Sequence, residues 1–305
     1  MSYKKKVTIL SALVAVLALI YFLILFFDSD RRRDPAFAWL DSSLFNMADR
    51  IELFGSNGLT VLNQVNGVWH LLDDGVNYPI KQGRVEDLMS ALSRRDTYPV
   101  RALSAEARER LGFGESSSSR IRVTGGAGPP LLDLLVGSGA TLGREVYLKF
   151  ADRTEIHSGE DRFTLFTEAR GNFWLDMRLF SPAAIADIQQ AEVNLTDGET
   201  YALRRHGGGW VILGSESEVL DVPRVDAWLR GVLEAEAENF ATEDPQTIDA
   251  FITLRFGDGQ TKSLFAGPLD ENNNRQVLVS DSSFIYLLSE WTGNRIFRES
   301  SFFLR

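Results

Sequence analysis

The sequence predicts an α+β protein: an N-terminal transmembrane helix followed by two tandem, mainly antiparallel α+β repeat modules. Three observations predict it. Val7 to Phe27 is an uncharged, apolar run of 21 residues. Short segments of alternating polarity, punctuated by Gly- and Asn-containing turns, fill much of the remaining chain. One ordered set of elements also recurs, with Trp69 in the first copy and Trp210, 141 positions later, in the second.

At 1.5 Å rise per residue the apolar run spans about 31 Å, which matches a hydrocarbon core of about 30 Å. A cleavable secretory signal has a shorter apolar stretch, about 7 to 15 residues, with a small-residue cleavage site close behind it. Here Ala36-Phe37-Ala38 lies beyond the charged stretch Asp28 to Asp34. The reading is therefore an uncleaved anchor, with residues 1–6 as a cytoplasmic tail and 28–47 as a linker. Lys4, Lys5 and Lys6 on one side face Arg31, Arg32 and Arg33 on the other, so the positive-inside rule barely favours a cytoplasmic N-terminus.

The chain has no cysteine, which removes lipid acylation, disulfides, thiolate catalysis and cysteine-ligated metal sites. Its net charge is −10, and the part beyond the run is more acidic still. That balance, with basic residues scattered and no interleaved aromatics, argues against nucleic-acid binding.

The first module is placed at 48–180. Asp49 to Leu53 and Leu59 to Leu62 alternate around Gly55-Ser56-Asn57-Gly58 as a hairpin, and Val68-Trp69-His70-Leu71 follows as a third strand. Val85, Leu88, Met89 and Leu92 then fall on one helical face. Ser104 to Gly112 reads as a short capped helix. Further strands are expected at Ile121–Val123, Leu132–Val136 and Val146–Phe150.

Residues 181–189 read as a connecting helix, with Ser181 as N-cap and Pro182 in the first turn. The second module, 190–305, repeats the pattern: Glu192 to Leu195, Tyr201 to Leu203 and Trp210 to Ile212 as strands, then Val225, Trp228, Leu229, Val232 and Leu233 on a helical face behind Pro223. Strands at Phe251–Phe256, Ser263–Ala266 and Gln276–Val279 complete it. Each copy closes on one spacing, Trp174, Arg178 and Phe180 in the first and Trp291, Arg295 and Phe297 in the second. Large aromatics with a stacking arginine suit a packing anchor, so this signature, like Trp69 and Trp210, is assigned to scaffold. The competing reading is a recognition patch, since Trp and Arg are favoured hot-spot residues.

The chemistry-bearing residues do not assemble into a known motif. His70, His157 and His206 lack metal-ligand spacing. There is no phosphate-binding loop of the Gly-x-x-x-x-Gly-Lys-Ser/Thr type, and Gly137-Ser138-Gly139 lacks the flanks of a nucleophile elbow. Asp270 to Asn274 reads as a polar hairpin tip rather than a calcium loop. No cofactor, metal or catalytic residue is predicted, and the chain is read as non-enzymatic. The acidic pairs Asp73 and Asp74, and Glu234 and Glu236, are all that a membrane-tethered hydrolase could use. A passive envelope protein binding a glycan, or a peptide by strand addition, is the third reading.

The lysine-led run, the two strand-strand-Trp units each with a following helix, Arg110-Leu111-Gly112-Phe113 and the closing Trp-x-x-x-Arg-x-Phe together resemble a bacterial family of single-span envelope proteins with a repeated domain of unknown function. Two features depart from that family's pattern: Glu115 and serines stand where a proline is expected, and Asp244-Pro245 lacks a comparable turn. The resemblance implies an auxiliary subunit of an ABC-type, gliding-motility-like transporter. Its partners would be a permease, its ATPase and another auxiliary envelope subunit, and its bulk would lie outside the bacterial cytoplasmic membrane.

Overall fold

The computed structural model describes residues 36–114, 119–137 and 145–305, together with Val16, Leu17, Leu19 and Tyr21. The tail 1–6, most of the run Val7 to Phe27 and residues 28–35 lie outside the described residues. The four described positions of the run are helical and exposed. The chain divides into two compact units, Met1–Leu175 and Asp176–Arg305.

In the first unit the strands are β1 (Arg50–Gly55), β2 (Gly58–Val65), β3 (Val68–Asp73), β4 (Val76–Pro79), β5 (Val100–Ala102), β6 (Ser119–Thr124), β7 (Leu132–Val136), β8 (Glu145–Phe150) and β9 (Ile156–Glu160). They form one antiparallel sheet in the order β4-β3-β2-β1-β6-β7-β8-β9-β5. Alternation decides the buried face: β1 encloses Ile51 and Leu53, β6 Ile121 and Val123, β7 Leu132, Leu134 and Val136. The helix Gln82–Ser93 carries the chain from β4 at one edge to β5 at the other. It buries Val85, Leu88, Met89 and Leu92, each contributing about 1.5–3 kcal/mol, and meets β3 and the helix Arg162–Thr167.

In the second unit the strands are β10 (Ile188–Asn194), β11 (Thr200–His206), β12 (Gly209–Ile212), β13 (Asn239–Ala241), β14 (Ala250–Phe256), β15 (Thr261–Leu269), β16 (Asn274–Val279) and β17 (Ile285–Ser289). Their order, β12-β11-β10-β14-β15-β16-β17-β13, is that of the first sheet without β4. The helix Val222–Leu233 again joins the two edges, burying Val225, Trp228, Leu229, Val232 and Leu233. Even the hairpin turns agree. Asn66 and Gly67 between β2 and β3 have φ of 52° and 82°, and Gly207 and Gly208 between β11 and β12 have 56° and 82°. Positive φ at both central residues defines the turn whose twist suits a two-residue hairpin.

Each unit also frames its long helix with two isolated bridges. Phe37 pairs with Asp96 and Ile80 with Leu175 in the first; Arg178 pairs with Glu236 and Leu220 with Leu304 in the second. The residue preceding each helix donates its amide to an enclosed aromatic residue's carbonyl at 2.8 Å, Lys81 to Trp174 and Asp221 to Phe303. By this register the segment 176–180 opens the second unit, as 36–40 opens the first. The division therefore falls at Leu175, not at Phe180. Residues 181–184 carry no regular structure, and only Ile185–Asp187 winds into a 3-10 turn where a connecting helix was expected.

The fold class expected from the sequence is overturned. The described residues are mostly two antiparallel sheets with few helices, not a transmembrane helix followed by α+β modules. Among them no helix is long and apolar enough to cross a membrane. The cause lies in strands that patterning does not reveal. β5 and β13 are three residues long, too short to alternate; Ile156-His157-Ser158-Gly159-Glu160 is largely polar; Ile285-Tyr286-Leu287-Leu288 is continuously apolar. Without them the one long helix per unit looks like a layer of its own.

Candidate interaction surfaces

The two hairpin tryptophans occupy matched positions, because Gln64 faces Trp69 across β2 and β3 and Arg205 faces Trp210 across β11 and β12. Their surroundings differ. Trp210 is buried, its Nε1–H donates to Asp226 Oδ1 at 3.0 Å, and the Arg205 guanidinium lies 4.6 Å from its ring centroid. Arg205 is itself held by the carbonyls of Ile188 at 3.1 Å and Ile185 at 3.2 Å. Trp69 is only half-buried. Its backbone is bracketed by the Gln82 side chain, which accepts from the Trp69 amide at 3.1 Å and donates to its carbonyl at 2.8 Å. A groove of about 700 Å³ opens beside it, lined by Phe45, Gln64, Trp69, Glu86 and Met89 among others.

The closing signature separates into unlike environments. Trp174 is fully enclosed against Phe166 and Phe173, and Phe180 is buried, whereas Trp291 is 70% exposed. Arg178 forms a bidentate pair with Asp176, while Arg295 lies 5.0 Å from the Trp291 ring centroid and Phe297 is half-exposed. In position and in its bonded carbonyl, the counterpart of Trp174 is Phe303, not Trp291.

Arg178, Phe180, Arg230, Glu234 and Glu236 line a cleft of about 390 Å³ in the second unit. Glu234, Glu236 and Glu238 alternate outward while Ala235 and Ala237 are buried, as an extended segment requires. Asp74 sits at φ 45° in the turn between β3 and β4, followed by Gly75 at 82°, so its place with Asp73 is explained by the turn. Asp270 Oδ1 accepts the amides of Asn272 and Asn274 at 2.8 and 2.9 Å and closes the hairpin tip between β15 and β16.

Two of the histidines lie against main-chain carbonyls. His70 Nδ1 lies 3.0 Å from the Val68 carbonyl, and His157 Nδ1 lies 2.8 Å from the Tyr98 carbonyl within a cluster of Phe37 and Trp39 rings. His206 ends β11, exposed. Among the described residues no three His, Asp or Glu side chains group as metal ligands.

Two polar knots escaped the sequence reading. Lys262, buried in β15, donates to Asp281 and to Ser181. Burial pushes the Asp281 carboxyl up, but bonds from Lys262, Ser280 and Ser181 and the Lys262 charge outweigh it, holding the group below the usual range. Glu168 accepts from the Ser56 amide and hydroxyl and from Ser119 Oγ, and those bonds likewise overcome burial and lower its pKa. The pairing of Gln64 with Trp69 and of Arg205 with Trp210 was available in the chain. Both pairs are five residues apart around a two-residue turn.

The folded parts thus define a protein of two antiparallel-sheet units with matched topology, whose sequence-flagged residues mostly pack or bond within a unit. The chain belongs to the family described as Domain of unknown function (DUF4340), which matches residues 69–251, more than half of its length. The matched span starts at Trp69 in β3 and ends at Phe251 in β14, so it takes in parts of both units. No curated protein and no solved structure matches the chain.

Proposed function

We propose that the protein is a non-enzymatic auxiliary subunit of an ABC-type, gliding-motility-like transport system, presenting two units of duplicated origin to a permease or cargo on the outer side of the bacterial cytoplasmic membrane. The observation that carries this reading is one strand order used twice behind the apolar run Val7 to Phe27. Retention at the membrane raises the local concentration of both units near a permease, so modest contacts suffice for association. ATP hydrolysis belongs to the partner in this reading. Strand addition is disfavoured, because the sheet edges β4, β5, β12 and β13 are only three or four residues long and offer few ladder bonds. Affinity purification from gently solubilised membranes is expected to recover a permease and an ATPase with this chain. Repeated recovery of neither, or substrate turnover by the purified chain, overturns the reading.

A further inference from the structure

We propose that the groove of the first unit binds the guanidinium of an arginine on a partner polypeptide, stacked on Trp69 between Gln64 and Glu86. The second unit contains the filled version of this site. There Arg205 covers the Trp210 ring at 4.6 Å and donates to the carbonyls of Ile185 and Ile188, with Asp226 on the indole Nε1–H. Each component has a counterpart in the first unit except the arginine. Trp69 stands for Trp210, and Gln64 replaces Arg205 at the same cross-strand position. Glu86 takes the place of Asp226, each five residues after its helix N-cap, Lys81 or Asp221. The 3-10 turn Ser42–Met47 repeats the turn before β10: Ala48 donates its amide to the Phe45 carbonyl as Ile188 does to Ile185.

Losing the internal arginine leaves Trp69 half-buried beside a groove of about 700 Å³, with the exposed carboxylate of Glu86 on its wall. Among the described residues no guanidinium lies over the Trp69 ring. A planar fork is the matching occupant because it stacks on an indole and donates to two carbonyls at once, which an ammonium does not do in the same geometry. The acidic balance of the chain favours a basic partner segment. This inference does not rest on the transport reading and survives if no permease is found.

The test uses the full-length chain in detergent with 5-fluorotryptophan at its six tryptophans, the Trp69 resonance being assigned by Trp69→Phe. Titration with blocked arginine amide is expected to shift that resonance saturably. Blocked lysine amide should act several-fold more weakly and blocked glutamine amide not at all. Glu86→Gln should weaken the arginine response several-fold. Gln64→Arg, which rebuilds the arrangement of the second unit, should shift the Trp69 resonance by itself and abolish the response, the other resonances reporting an intact fold. No saturable shift with arginine, an equal shift with the glutamine amide, or an undiminished response in a folded Gln64→Arg variant overturns the proposal.

Discussion

The indole of Trp174 is wholly enclosed, edge-on to Phe173 at 5.0 Å between ring centroids, and its buried Nε1–H has no acceptor among the described residues. An unpaired buried donor costs about 1–3 kcal/mol, a cost offset here by the area the ring buries. The second unit places a phenylalanine, Phe303, at this position with the same backbone bond. Trp174→Phe is therefore expected to cost less than about 1 kcal/mol, since the orphaned donor leaves with the lost area, whereas Trp174→Ala should cost about 3–5 kcal/mol by opening a cavity. Trp291→Ala, on an exposed ring stacked by Arg295, should change stability by less than about 1 kcal/mol. Urea unfolding of the three variants checks the set, and a phenylalanine variant as damaged as the alanine one refutes the packing argument. The shared spacing of Trp174 and Trp291 had suggested equal roles, but spacing along a chain carries no information about which turn of the fold each residue enters.

Strand β15, the turn after β16 and the stretch that follows residues 176–180 are tied together by Lys262, Asp281 and Ser181. With its folded pKa held below the ordinary 3.8, the ionised Asp281 contributes stability that is fully present above about pH 4 and is lost as pH falls through the folded value. Removing the carboxylate strands a buried ammonium, so Asp281→Asn should lose about 2 kcal/mol at neutral pH. Its stability should also fall less steeply below pH 4 than that of the natural chain; parallel acid titrations would deny the pair its role. These ties were invisible beforehand because their members lie 19 and 81 positions apart. Hairpins and helix faces were legible for the opposite reason. Gly55 to Gly58, Gly207 to Gly209, and the Val85 and Val225 faces are local patterns whose partners sit within a turn or two. Of the candidate groove, Trp69 and the matched positions of Gln64 and Arg205 are legible in the chain, but the groove's walls, Phe45, Glu86 and Met89, come from other elements and are placed beside Trp69 only by the fold.

At the scale of the whole molecule the two units repeat one topology, and the bridges around each helix decide where one ends and the next begins. Leu179 donates its amide to the Ala235 carbonyl at 3.0 Å, Ala237 donates to the Met177 carbonyl at 2.8 Å, and Leu179 and Phe180 are 2% exposed. A fragment starting at Asp176 keeps these bonds, whereas one starting at Ser181 loses them along with three core side chains, Met177, Leu179 and Phe180. Burying a leucine and a phenylalanine contributes about 1.5–3 kcal/mol each, and typical domains are stable by only about 5–15 kcal/mol. The fragment 176–305 is accordingly expected to fold alone with a cooperative thermal transition, and 181–305 to melt at least about 10 °C lower or remain unfolded, given a shift of about 4 °C per kcal/mol where the ranges for smaller and larger domains meet. Circular dichroism melts of both fragments decide the matter. Equal melting temperatures would return residues 176–180 to the first unit and undo the register on which Trp174 is matched to Phe303.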